Sequence, residues 1–154
     1  MQAFDLFSLE GKAAVVAGGG GVLGGAIAEG LARAGAKLVI GDLLPDMAQK
    51  AAKRITNAGG TALGVKMDAF DRSTIEACRD KAYDAYGSVD ILVNAVGGNM
   101  KGATTSAEQP FFQLSPDALS KVFNLNILAG TIVPCQVFWE RMKGNPDGGS
   151  IINI

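Results

Sequence analysis

The chain has 154 residues, 48% hydrophobic and 19% charged, which suits one domain with a proper buried core and excludes a disordered segment. Fourteen basic against fifteen acidic residues leave a net charge of −1, arguing against nucleic acid or an anionic membrane as the main partner. The chain has no His, which removes Ser-His-Asp and Cys-His nucleophile systems and the usual His-containing zinc sites, and no metal is expected.

Short aliphatic runs alternate with longer segments of helical period. Lys12 to Ala17 predicts a first strand, followed by a glycine cluster. A helix over Val22 to Ala34 comes next, with Leu23, Ile27 and Leu31 on one face, and Gly35 stops it. Lys37 to Ile40 is a second strand. Pro45 opens a second helix at its first turn, where the missing N–H costs nothing, and Met47, Ala51 and Ile55 stripe it as far as Asn57-Ala-Gly-Gly60. Thr61 to Lys66 reads as a third strand. Ser73 to Tyr86 reads as a helix with Ile75, Cys78 and Ala82 inward, and Val89 to Val93 as a fourth strand. A Gly/Thr/Ser-rich loop, Gly97 to Ser115, leads to Pro116 and a long helix to about Lys143. Asn145 to Gly149 is a turn, and Ser150 to Ile154 begins a fifth strand.

This order implies an α/β fold: a Rossmann-type, doubly wound parallel sheet with helices on both faces and a ligand at the carboxyl ends of the strands. The chain stops inside an apolar strand, and residues 1–154 are read as the N-terminal part of a longer dinucleotide-binding domain truncated after its fifth strand. Two cysteines, Cys78 and Cys135, make no disulfide framework and suit a reducing, cytoplasmic setting. The opening MQAFDLFSLEGK has no leader pattern, and no apolar run approaches the ~20 residues of a membrane span.

The segment Val15 to Ile27 carries the most information. A strand, a glycine turn and a helix N-terminus put backbone N–H groups and the helix dipole onto a phosphate. Gly19-x-Gly21-x-x-Gly24 has the general G-x-G-x-x-G spacing. Asp42 ends the second strand about 20 residues on, where a carboxylate accepts the ribose hydroxyls of adenosine and repels a 2′-phosphate, which predicts NAD as cofactor.

With these motifs the chain resembles the short-chain dehydrogenase/reductase family over essentially its whole length. The family's T-G-x-x-x-G-x-G loop becomes Ala17-Gly18-x-x-x-Val22-x-Gly24, with Ala for Thr and Val for the central Gly. Asp68 in Lys66-Met-Asp-Ala69 matches the acidic residue after the third strand, and Asn94-Ala-Val-Gly97 matches N-N-A-G after the fourth. Asn126 matches the helix Asn of the catalytic tetrad, although the following N-x-x-G becomes Asn126-Ile-Leu-Ala129, with Gly130 one residue late. The wording Gly18 to Gly25, together with Gly97-Gly-Asn99 and Pro134 to Phe138, is similar to a subgroup of sugar-acid oxidoreductases of the mannonate/fructuronate or gluconate kind.

The resemblance implies roles residue by residue. Gly18, Gly20, Gly21, Val22, Leu23 and Gly24 would hold the pyrophosphate, Asp42 the ribose, and Asp68 with Ala69 the adenine. Asn94, Ala95 and Gly97 would line the strand-four side, and Asn126 would anchor a proton relay. The family's Tyr-x-x-x-Lys pair is absent: Tyr83 is followed four residues later by Gly87, and Tyr86 by Asp90. The implied activity is hydride transfer between nicotinamide and a secondary alcohol or ketone of a small sugar acid or polyol. A 3-oxoacyl or steroid-type reductase and a non-catalytic dinucleotide sensor are the alternatives. Asn99, Thr104 and Thr105 are candidates for a polyol pocket. Phe111, Phe112, Phe123, Phe138 and Trp139 are expected in the core or a subunit interface. The apolar long helix implies a homo-oligomer, dimer or tetramer, in which it meets its symmetry copy.

Overall fold

The computed structural model describes residues 5–154; Met1 to Phe4, the start of the stretch read for a leader, lie outside the described residues. Five strands alternate with helices: β1 (Ala13–Ala17), α1 (Val22–Arg33), β2 (Lys37–Asp42), α2 (Pro45–Asn57), β3 (Thr61–Lys66), α3 (Arg72–Tyr86) and β4 (Ile91–Asn94). The long loop after β4 contains two 3-10 turns, Lys101–Ala103 and Phe111–Gln113. It is followed by α4 (Pro116–Phe123), a π-helical stretch (Asn124–Ile132), α5 (Val133–Met142) and β5 (Ser150–Asn153).

All pairings are parallel and the strand order is β3-β2-β1-β4-β5. The chain therefore winds outward from β1 to β3 and then returns to the other side of β1. The crevice between β1 and β4 is the switch point at which such sheets take ligands. Alternate residues of β1 feed two cores. Val15 and Ala17 pack with Ile75, Cys78, Val137, Phe138 and Met142 under α3 and α5, while Ala14 and Val16 pack with Ala28, Leu38, Ile40 and Ile55 under α1 and α2.

Helix phase differs from the sequence reading in two places. In α1 the inward positions are Gly24, Gly25 and Ala28, with Ile27 and Leu31 at the margin, and Leu23 is exposed. The helix crosses the glycine turn so closely that a Cβ on Gly24 would collide with the Gly18 carbonyl, so small residues and not the largest aliphatics face inward. In α2 the buried set is Ala48, Ala51, Ala52 and Ile55, and Met47 is exposed. There α2 lies against β3, where a Cβ on Gly64 would come within 2.6 Å of the Ala48 carbonyl carbon.

The long helix also differs from expectation. By length and composition Pro116–Met142 is apolar enough to cross a membrane. In this fold Val137, Phe138 and Met142 enter the core, while Phe123, Ile127, Leu128 and Ile132 face outward. Of the aromatic residues singled out in the sequence, Phe138 alone is in the core; Phe111, Phe112, Phe123 and Trp139 are exposed.

Candidate dinucleotide and active site

β1 runs straight into the glycine turn, which takes its shape from three close approaches. Gly18 has φ +76°, a left-handed conformation, and its missing Cβ would lie 2.6 Å from the Ala95 carbonyl oxygen. Gly20 faces Asp42, with room for a hydrogen and no more. Gly24 packs against Gly18 as described. The Gly18 and Gly19 N–H groups donate to the Gly41 carbonyl at 2.8 and 3.1 Å, fastening the turn to the end of β2.

The first helix begins here with no side-chain cap, and the Gly25 N–H donates to the Gly21 carbonyl at 2.9 Å. The N–H groups of Val22, Leu23 and Gly24 are therefore the helix's orphan donors, gathered beside the turn at the positive end of the dipole. The Val22 side chain is 95% exposed, which leaves that end open.

Asp42 closes one side. Its Oδ2 accepts the Gly20 N–H and its Oδ1 the Leu44 N–H, each at 3.0 Å. Asp68 follows β3 with Oδ1 accepting the Phe70 N–H at 2.9 Å, and its own N–H donates to Thr74 Oγ1 at 2.8 Å. Ala69 is buried beside it.

The residues after β4 divide by role. Asn94 is only 1% exposed, and its amide points into the fold. Nδ2 donates to Asn153 Oδ1 of β5 at 2.8 Å and to Cys135 Sγ of α5 at 3.3 Å. Burial pushes the Cys135 thiol up, and the Asn94 amide brings it part of the way back. The Asn94 amide nitrogen thus ties β4 to β5 and α5, while its Oδ1 is buried with no hydrogen-bond partner among the described residues. Ala95 N–H donates to the Ala17 carbonyl at 2.9 Å, which holds the segment against the glycine turn.

Gly97 and Gly98 meet Asn126. Gly98 N–H donates to Asn126 Oδ1 at 3.0 Å, and Asn126 Nδ2 donates to the Gly98 and Val122 carbonyls, both at 2.8 Å. A Cβ on Gly97 would strike Asn126 Oδ1. The structure thereby brings Gly18 to Gly24, Asp42, Ala95 and Gly97 to the carboxyl ends of the three central strands, with Asn126 latched to the strand-four side. Sequence reasoning missed Gly98, the actual partner of Asn126, together with Asn153 and Thr74. The doubled glycine at 97–98 was the one available signal; the other two are ordinary polar residues in sequence.

The sequence matches the short chain dehydrogenase family over residues 12–154. An uncharacterised oxidoreductase, UxuB, of Bacillus subtilis is 37% identical over 155 residues, covering 96% of this chain and 55% of that protein. The sorbitol dehydrogenase of Cereibacter sphaeroides is 30% identical over 146 residues, 95% of this chain and 53% of that one. A Haemophilus influenzae protein provisionally described as a D-mannonate oxidoreductase, solved with bound NAD, superposes with a TM-score of 0.80 at 35% identity, over 89% of this chain and 52% of its own. A 7α-hydroxysteroid dehydrogenase solved with NADH and 7-oxo glycochenodeoxycholic acid gives a TM-score of 0.80 at 30% identity, over 98% and 55%. The chain spans about half the length of the curated relatives it matches. The match over nearly all of its residues places this chain in the short chain dehydrogenase family.

Proposed function

We propose that residues 1–154 form the cofactor-binding part of an NAD-dependent dehydrogenase of the cytoplasm, acting on a secondary alcohol or ketone of a sugar acid. The observation that carries the reading is Asp42, whose carboxylate lies beside a helix N-terminus made of orphan donors and a turn with no side chains. A pyrophosphate fits the donors, a ribose diol fits the carboxylate, and a 2′-phosphate would meet its negative charge. When bound, the nicotinamide supplies the hydride acceptor or donor. The chain's own part is to seat the dinucleotide on Gly18 to Gly24, hold the Gly97 turn through Asn126, and shield the crevice between β1 and β4.

The sugar-acid preference draws support from the likeness to the D-mannonate protein, and a polyol alternative from the likeness to the sorbitol enzyme. The sequence holds no Tyr-x-x-x-Lys, so no group in it is placed to move the hydroxyl proton, a contribution of roughly 10²–10⁴-fold. Residues 1–154 alone are therefore expected to bind NAD and turn over no polyol or sugar acid. The exposed apolar face of the long helix supports a homo-oligomer built on that helix.

Calorimetric titration with NAD and NADP is the direct test. NAD should bind at least tenfold tighter, and Asp42→Ala should narrow the difference. Equal or tighter NADP binding removes the reading of Asp42. In the full-length protein, NAD binding without turnover of any sugar acid, polyol or ketosteroid would favour the non-catalytic sensor.

A further inference from the structure

In the family pattern the glycine follows Asn126 by three residues; here Gly130 follows by four, and the helix takes up the extra residue by widening to π geometry over Asn124–Ile132. Its last backbone bond runs from the Val133 N–H to the Leu128 carbonyl, five residues back. Both flanks account for this. Gly130 passes so close to the segment after β4 that a Cβ would lie 2.5 Å from the Val96 carbonyl oxygen, and Leu125 O is 2.8 Å away. Without the wide turn, one extra residue would rotate α5 by roughly 100° and swing Val137, Phe138 and Met142 out of the core. The π turn keeps Asn126 and α5 in phase together. Such turns collect at functional sites.

Asn126 uses its side chain as a latch. Both amide hydrogens go to the Gly98 and Val122 carbonyls and Oδ1 accepts the Gly98 N–H, so the side chain is committed to the Gly98 turn while its main-chain carbonyl is held from within the helix. Thr131 Oγ1 donates to that carbonyl at 3.0 Å. In an α-helix a Thr hydroxyl reaches back three or four residues. Here it reaches five, which the widened turn allows. We propose that Thr131 is a positioning residue: its hydroxyl fixes the Asn126 carbonyl and, through Asn126, the Gly97-Gly98 turn. This rests on the dehydrogenase reading of the site.

The test compares Thr131→Val, which removes the hydroxyl and keeps the shape, with Thr131→Ser, which keeps the hydroxyl, in the full-length protein. The valine variant should lower kcat about fivefold or more, the scale of one hydrogen bond, and shift the pH profile, with the NAD dissociation constant within about twofold. Amide hydrogen exchange at Gly97-Gly98 should quicken by a similar factor, and the serine variant should restore both. Thr131→Ala is read the same way if the valine variant does not fold. Unchanged kcat and exchange in Thr131→Val, or a serine variant as impaired as the valine one, overturns the proposal. If the full-length protein turns over nothing, the dehydrogenase reading fails, and the exchange comparison alone still decides for or against Thr131.

Discussion

Asp42 and Gly20 are bound across the turn, carboxylate to main-chain N–H, at 3.0 Å. The contact exists because Gly20 has no side chain: a Cβ there would lie 2.6 Å from Asp42 Oδ2 and 2.8 Å from Met47 Cβ. Gly20→Ala should therefore force the carboxylate and the start of α2 outward. Overpacking of this kind costs about 1–3 kcal/mol, readable as a lower urea midpoint. NAD affinity should fall at least tenfold in calorimetry; a value within twofold of the parent would show that the turn tolerates the methyl.

Asn126 is expected to matter for stability as well as chemistry. Asn126→Ala removes the side-chain partner of the exposed Gly98 N–H and carbonyl, at a cost of about 0.5–1.5 kcal/mol for each bond lost. Asn126→Asp should do more harm, because an oxygen would then face the Gly98 and Val122 carbonyls that now receive Nδ2. Urea unfolding that ranks parent, Ala and Asp in falling order supports the latch. An aspartate variant as stable as the parent would refute it.

The strands and the glycine turn with Asp42 at a strand end were legible because each is local, and the parallel sense followed from the strand-helix alternation; the spatial order β3-β2-β1-β4-β5 came from the structure. Helix phase was less so. Leu23 and Met47 were placed inward because large aliphatics on a 3.6-residue period usually point to the core. Here Gly24 and Gly64 mark where backbones come so close that only Gly and Ala fit beneath. The π stretch left one trace, the late Gly130, and a period argument cannot see a turn that changes the period. The Asn94 Nδ2 bond to Asn153, a partner 59 residues away, is likewise something no spacing rule points to.

Cys78 should be silent to thiol reagents. Burial raises its pKa from an ordinary 9.0 to about 12, so almost no thiolate forms in the native protein near neutral pH. A folded-state pKa above the unfolded one means that stability is fully present below about pH 9 and lost as the pH rises toward 12. Dithionitrobenzoate at pH 8 should leave Cys78 unmodified until guanidinium is added, and Cys78→Ala should flatten part of the alkaline loss. Rapid labelling of Cys78 in the folded protein would contradict its buried position.

The outward face of the long helix gives the last expectation. Phe123, Ile127 and Leu128 line a shallow hollow with Ser120 and Asn124, and Ile132 continues the face. If that face is covered by a second copy, Ile127→Glu places two charges against each other across the two-fold and should yield monomers. Size-exclusion chromatography with light scattering reads the outcome. A parent protein that is already monomeric at micromolar concentration would end the idea.

The double engagement of Asp42 sets a limit on redesign. Its two oxygens hold the Gly20 and Leu44 N–H groups, besides the part proposed for it at the ribose. Converting the chain to a phosphorylated dinucleotide by installing Arg or Ala there would strip two main-chain donors of their acceptor and loosen the turn on which either cofactor depends. A successful exchange has to keep a neutral acceptor at position 42, Asn or Ser, and bring the compensating cation from a neighbour such as exposed Leu43. The proposed selectivity and the architecture share one side chain here, so they must be engineered as a pair.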